Sequence, residues 1–519
     1  MDPSLLAFLI AFAVSTLAAP LVARLGRRFG FVDIPDAHCK LHRNPVPLAG
    51  GPTLLLSGLL ALATTVFLYP EFLRDSPGDR AFLTALFFAS LVIVGLGLLD
   101  DRFALRGRQK LAGQLIAALI MLGGHITITH VTFLGLDIHF GHFAPVITVA
   151  WILGAINALN LIDGVDGLAS TTGIVLSLSI AAVTFVLGGR QDCLLVVLIL
   201  AGSLSGFLIY NFPPARMFLG DSGSMFIGLV LGVVALKASI KGIGAAALIM
   251  PTAIWAIPIF DVSMAIVRRK LTGRSIYASD RSHLHHCLER KGHSGSQLLL
   301  LVGSLCALTG IGAIAGSAMQ NEALTLVVVA MALSLLVLTR SFGHVEAELV
   351  RSHIVRLAGS MVRGPVNREQ LLHGEQAHLN GNHDWERLWL TLTDFAARFE
   401  MDRVELMVSL PAVGEEYHAV WRRSSTVEIH EAWKSEIPLI VESFCVGHIR
   451  VVGAVGEGSI CEWMSELIGG LQAFEDQLVD LIKELQDTRD VPAMPSTAHF
   501  ADSDQPMLSA NENHSTAGY

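Results

Sequence analysis

The chain has 519 residues, of which 52% are hydrophobic and only 16% charged. A soluble domain carries roughly 25% charged residues, and a soluble chain of this length would divide into about three or four domains whose surfaces need more charge than this. The formal net charge of -9 averages an apolar part with an acidic tail, and no basic stripe interleaved with aromatics marks a nucleic-acid surface. The apolar excess falls in runs of roughly 18–22 residues, the length that crosses a bilayer core. These runs continue to about Arg340, after which the composition turns ordinary. The pattern predicts an all-α polytopic membrane protein with a small C-terminal α+β domain.

The first apolar run, 4–22, lacks a basic flank and a small-residue cleavage site, so it reads as a retained helix rather than a signal peptide. Eleven spans are predicted, over 4–24, 48–69, 80–99, 111–128, 143–159, 168–187, 193–210, 222–239, 243–266, 297–316 and 322–340. Sorting Lys and Arg by alternate loops places seventeen, from Arg24 to Lys291, in one set. Only Arg74, Arg80, Arg190, Lys237 and Lys241 fall in the other. Positive charge is retained on the cytoplasmic side, so the N-terminus is expected outside and the tail inside. The residues with catalytic chemistry gather in the same cytoplasmic set. A channel or transporter would place ionisable groups near the middle of its spans; here they collect at one face, which predicts chemistry between a lipid and a soluble substrate.

Five blocks carry that chemistry. In Lys40-Leu-His42-Arg, followed by Gly50-Gly51, basic side chains precede a flexible pair, giving either a phosphate-approach loop or a positive flank. Asp100-Asp101 ends the third span. Adjacent carboxylates at a membrane boundary repel unless a cation or proton intervenes, so the pair is either a metal or general-base site or a polar helix end neutralised by Arg102. The aspartate-rich motif of prenyl synthases is not matched, because position 104 is Ala. Asn157, Asn160 and Asp163 follow at a spacing of three, which aligns them on one helical face, with Asp166 beyond. Amide and carboxylate oxygens suit Mg²⁺, which takes one or two carboxylates together with phosphate oxygens; the alternative is a capping and turn sequence. Asn211 leads into Gly220-Asp221-Ser222-Gly223-Ser224, where Asp221 either caps a helix or holds a metal against a pyrophosphate. The last block, Asp280-Arg281-Ser-His283-Leu-His285-His286, offers donors for phosphate or sugar oxygens. Zinc is the disfavoured reading of these histidines, and the six scattered cysteines form no CxxC pair.

Taken in order, these blocks resemble the polyprenyl-phosphate N-acetylhexosamine-1-phosphate transferase family, glycosyltransferase family 4. The resemblance covers about residues 1–340 and rests on 42–51, Asp100-Asp101 with Lys110 and Gln114, 157–167, 211–224 and 280–286. It implies transfer of an N-acetylhexosamine-1-phosphate, GlcNAc-1-phosphate first among them, from a UDP-sugar to undecaprenyl phosphate, initiating a cell-surface glycan at the bacterial inner membrane. It implies Mg²⁺, with Mn²⁺ as a substitute, on Asn160 and Asp221. It further implies Asp100 as base toward the lipid phosphate with Asp101 beside it, and Lys110 on phosphate. Asp163 and Asp166 would line the nucleotide pocket, and Arg281, His283, His285 and His286 would contact sugar and pyrophosphate. Lys40, His42, Asn157 and Asn211 belong to the same substrate-binding set. Two rivals are a CDP-alcohol phosphotransferase, echoed in Asp163-Gly164 and Asp166-Gly167 but without its Ala-Arg and later acidic pair, and a non-catalytic lipid-phosphate binder or transporter.

Beyond the membrane part, at 341–487, strands are predicted over 403–410, 418–423 and 446–455 and helices over 384–400 and 461–487, the last able to pair two chains as a homodimer. Residues 488–519, rich in Pro, Ser, Asn and Asp, are expected to be disordered.

Overall fold

A computed structural model describes residues 2–33, 45–70, 77–133, 136–188, 190–239, 249–271, 283–344, 346–347, 350–351, 375–380, 385–398, 401–410, 415–422, 432–441, 444–454, 474 and 477–481. Lys40, His42, Arg281 and the 488–519 tail lie outside these residues. The chain divides into two compact units, Met1–Glu348 and Leu349–Tyr519.

The first unit is helical: α1 (Pro3–Phe29), α2 (Gly50–Leu68), α3 (Pro77–Phe103), α4 (Gly107–Gly123), α5 (Ala144–Ile162), α6 (Leu168–Val186), α7 (Gln191–Asn211), α8 (Gly220–Ser239), α9 (Ile249–Ile254), α10 (Ala256–Leu271), α11 (Leu284–Arg290), α12 (Gly295–Met319) and α13 (Glu322–Leu338). Eight of the described helices are long and apolar enough to cross a membrane. They are α1, α2, α3, α5, α6, α7, α8 and α12, and the chain is a multi-pass membrane protein. Helices occupy the other three expected positions without reaching that length. α4 and α13 have 17 residues each. The expected ninth span is broken at Trp255, between α9 and α10. Pro258 has no N–H for the carbonyl of Ile254, so that rung of the ladder is missing, while Trp255 N still donates to Pro251 O and Ile259 N to Trp255 O, each at 2.9 Å.

α8 is the axis of this unit. It packs against α2, α3, α5, α6 and α7, and 89% of its most apolar stretch is buried, against 28% for α1. Such enclosure requires small residues at the crossings. A Cβ on Gly97 of α3 would overlap the backbone of Ser222 on α8, so only glycine allows the two helices this approach. At the far end of α8, Lys237 Nζ pairs with Asp192 of α7 at 2.6 Å and lies 3.5 Å from the centre of the Phe82 ring. Arg190 reaches the same carboxylate at 3.0 Å. Beyond α13, Phe342 meets Phe260 edge-on and the Glu346 carboxylate pairs with Arg268, both partners buried.

Two short hairpins interrupt the helices: β1 (Val32–Asp33) with β2 (Val46–Pro47), and β3 (His130–Phe133) with β4 (Leu136–His139). The second unit contains β5 (Glu375–Asn380), α14 (Glu386–Arg398), β6 (Arg403–Leu410), β7 (Glu415–Arg422), β8 (Ala432–Val441) and β9 (Phe444–Ala454). The strands form an antiparallel sheet in the order β5-β7-β6-β9-β8. Val404, Leu406 and Val408 alternate along β6 and point into a core shared with Trp385, Leu388 and Trp389 of the α14 segment and with Phe474 and Leu478. The period of two in the sequence is thus the sheet's buried face. β5 and β8 were not expected; both contain runs of charged or polar residues and lie at the sheet edges.

Candidate active site

Three helix ends bring the acidic residues together. α3 ends with Asp100-Asp101, α4 begins just after with Lys110 in its first turn, and α8 begins with Gly220-Asp221. Lys110 stands between two carboxylates: its Nζ donates to Asp221 Oδ2 at 2.7 Å and pairs with Asp100. The other oxygen of Asp221 accepts from Asn160 Nδ2 of α5 at 2.8 Å, and the same amide lies 3.0 Å from Ser224 Oγ. The Asp221 and Lys110 side chains are 32% and 29% exposed, against 3% for Asp100, so a solute can reach the first two. Asp100 Oδ1 accepts from Leu105 N at 2.8 Å, which fixes the turn between α3 and α4.

Asp101 is used differently. Its two oxygens accept from the backbone amides of Asp221 at 2.8 Å and Ser222 at 3.4 Å. The N-terminal cap of α8 is therefore supplied by a neighbouring helix, and Asp221 is released from capping its own helix. This lets the Asp221 carboxylate face Lys110 and Asn160.

The remaining residues form a shell around this group. Asn157 donates to Gln114 Oε1 and to Leu153 O, each at 2.8 Å. Asn211 accepts from Ser170 Oγ at 2.8 Å and donates to Met217 O at 2.9 Å. Asp166 accepts from Ala215 N at 2.9 Å. Asn211 and Asp166 thus hold the 211–217 connection that delivers Asp221. The segment before α2 closes the same region from another side, with Ala49 N donating to Phe218 O at 3.1 Å and Phe218 N to Pro47 O at 3.0 Å. Asp163 terminates α5. Burial, together with the carboxylates of Asp221, Asp101 and Asp166, pushes its pKa well above the usual carboxylate range.

The histidines arrive with α11. His283 precedes the helix, and its Nδ1 lies 3.2 Å from Asp261 Oδ2. His285 packs over the turn that ends α5: a Cβ on Gly164 would stand 2.5 Å from its Nε2. Only a glycine allows that approach, and it joins the 157–167 block to the 280–286 block. Burial lowers the His285 pKa to about 3, so its imidazole is neutral. His286 is more exposed and faces Glu289, Nδ1 to Oε2 3.2 Å. Asp261 carried no expectation from the sequence. The available signal was a lone acid in the predicted 243–266 span, where an ionisable group is a functional candidate by default.

Among the described residues, no three His, Cys, Asp or Glu side chains converge closely enough to hold a metal by themselves. The donors do fit a hard divalent cation that completes its shell with water and phosphate. Asp221 and Asp100 lie on either side of a single ammonium, and Asn160 adds an amide beside Asp221.

Residues 83–239 match the family model described as glycosyl transferase family 4, the stretch that contains Asp100, Lys110, Asn160 and Asp221. A probable undecaprenyl-phosphate N-acetylglucosaminyl 1-phosphate transferase of Bacillus subtilis is 34% identical over 320 residues, covering 60% of this chain and 86% of its own length. The chain belongs to glycosyl transferase family 4. Other family members with similar sequences include a decaprenyl-phosphate N-acetylglucosaminephosphotransferase of Mycobacterium leprae, 32% identical over 59% of this chain and 81% of its own. An undecaprenyl-phosphate alpha-N-acetylglucosaminyl 1-phosphate transferase of Thermotoga maritima is 31% identical, over 56% and 83%. Family 4 membership makes the chain a transferase.

Proposed function

We propose that the protein transfers GlcNAc-1-phosphate from UDP-GlcNAc to a polyprenyl phosphate, undecaprenyl phosphate in a bacterial inner membrane, and releases UMP. The names of the relatives at 31–34% identity support the donor sugar and the lipid acceptor. The observation that carries the chemistry is Lys110 held between Asp100 and Asp221, with Asn160 on the same Asp221 carboxylate. Two acids and one ammonium at a membrane-helix boundary are matched to a phosphorylated substrate and its counter-cation.

In the reaction, an oxygen of the lipid phosphate bonds to the β-phosphorus of the UDP-sugar. The anhydride bond to the α-phosphate breaks, and UMP leaves with the bridging oxygen. The second pKa of a phosphate monoester is about 6, so the nucleophile is largely ionised at neutral pH. Asp100 then has more to do in orienting Lys110 than in removing a proton. Lys110 binds phosphate oxygens once substrate displaces it from Asp221. Asp101 acts through the α8 cap and keeps Asp221 turned toward the cleft. Asp163 and His285 line the approach for the nucleotide sugar, and Asp166 and Asn211 fix the loop that carries Asp221. Asp221 and Asn160 would hold Mg²⁺, which when bound would neutralise charge on the diphosphate and the leaving UMP. Positioning gives much of the acceleration. Eleven spans, with the N-terminus outside and this cleft on the cytoplasmic side, complete the proposal.

The test is UMP release by purified protein in detergent with undecaprenyl phosphate and a panel of UDP-sugars, with and without Mg²⁺. Release that requires lipid and Mg²⁺ and prefers UDP-GlcNAc is expected, and Asp221→Ala abolishes it. Lipid-independent release, or an unimpaired Asp221→Ala enzyme, would defeat the assignment.

A further inference from the structure

Asp261 is an aspartate within an otherwise apolar helical stretch, only 1% exposed. A carboxylate so placed is expensive unless its oxygens are occupied, and both are. Oδ1 accepts from Leu284 N at 2.9 Å, and Oδ2 faces His283 Nδ1 at 3.2 Å. Position 283 begins α11 without a side-chain cap of its own. The carboxylate therefore supplies the cap and meets the imidazole at once.

The imidazole contact has a chemical consequence. An ionised carboxylate can only accept, so the hydrogen of His283 lies on Nδ1. That leaves Nε2 as an acceptor in the neutral ring and as a second donor when the ring is charged. His283 in turn stacks on His285, with ring planes 6° apart and centroids at 6.1 Å. His285 sits against Gly164, one residue from Asp163.

We propose that Asp261 is a positioning residue for the histidine block: it fixes the tautomer and direction of His283 and, by holding the first turn of α11, seats His285 against the Asp163-Gly164 turn. The inference rests on the proposal that these histidines contact the nucleotide sugar. A helix cap with no further role would need only an acceptor for the Leu284 amide, and asparagine supplies one. Asparagine also turns a donor toward His283 Nδ1 and drives its hydrogen to Nε2. Asp261→Asn therefore separates the two roles.

UMP release is measured on the full-length protein in detergent for the wild type, Asp261→Asn, His283→Gln and the double variant. Asp261→Asn is expected to lower kcat by about 10–100-fold, as loss of a partner that orients a functional histidine does, with KM for UDP-GlcNAc within about threefold. The double variant should be no slower than His283→Gln alone, because without the ring Asp261 has nothing left to aim. Independent, additive losses or a wild-type kcat in Asp261→Asn overturn the proposal. A fully active His283→Gln protein also removes it, while leaving the transfer reaction standing, since wild-type UMP release is scored separately. A measurement on wild-type protein covers the case in which Asp261→Asn does not fold. In nitrogen-15 histidine spectra, the signal absent from His283→Gln should report an Nδ1–H ring, and an Nε2–H ring contradicts the proposal.

Discussion

Lys110 sets the charge balance of the cleft, because a single ammonium faces Asp100 and Asp221 together. Lys110→Met leaves two carboxylates to repel each other, and turnover should fall by about 10²–10³-fold, the range seen when one preorganised electrostatic group is lost. The drop should be larger for kcat than for KM, read in steady-state UMP release. His285 gives a pH signature with a definite sign. Its folded pKa of about 3 lies below the ordinary imidazole value of 6.5, so below 6.5 the unfolded chain binds a proton that the folded chain refuses. Stability is then lost as pH falls from 7 toward 5. Thermal unfolding in detergent should show this slope, and His285→Asn should flatten it. Asp221 and Asn160, 61 positions apart and linked in the sequence only through the family resemblance, share a hydrogen bond. Asp101 and Asn157 show what spacing hides: Asp101 is an acid that caps another helix, and Asn157 is tied to Gln114. Such uses depend on contacts 43 to 120 residues away, which no local pattern encodes.

Among elements, the α3–α8 crossing fixes the height of Asp101 against the start of α8. Gly97→Ala would press a methyl into the Ser222 backbone. Overpacking of this kind costs about 1–3 kcal/mol, so a lower melting temperature and reduced turnover are expected. Gly95→Ala is the control, since a Cβ there meets nothing within 4 Å. The expected ninth span shows the limit of hydropathy at this scale. Its composition suits a membrane, but it divides at Trp255, and the shorter α10 that results carries Asp261 at the height of α11. In the second unit, period-two patterning revealed β6, β7 and β9, whose alternate residues share one core. It did not reveal the edge strands β5 and β8, where polar residues interrupt the apolar alternation, as Lys434-Ser435-Glu436 does in β8.

For the whole molecule, the first unit reaches Glu348 rather than the Arg340 suggested by composition. A cut at Arg340 removes Phe342 and takes the Glu346 carboxylate from Arg268, which is 3% exposed. Breaking a buried pair costs about 3–5 kcal/mol. Truncation after Glu348 should therefore give a stable protein that still releases UMP, and truncation after Arg340 an unstable one. If the second unit associates chains, the longer truncate should also run at a lower oligomeric state in light scattering. Loss of turnover in a stable, monodisperse 1–348 protein would show that the second unit takes part in the reaction.

The Lys237–Asp192 pair at the opposite end of α8 bears on biogenesis. A lone ammonium on a helix as enclosed as α8 resists entry into lipid, whereas a helix hairpin in which Asp192 offsets part of the charge of Lys237 and Arg190 carries less net charge across. α7 and α8 are consecutive and joined by the short 212–219 connection, so they can be handed from the translocation machinery to the bilayer as one unit. Asp192→Asn should then reduce the amount of protein integrated during synthesis, while molecules that do integrate retain their turnover rate.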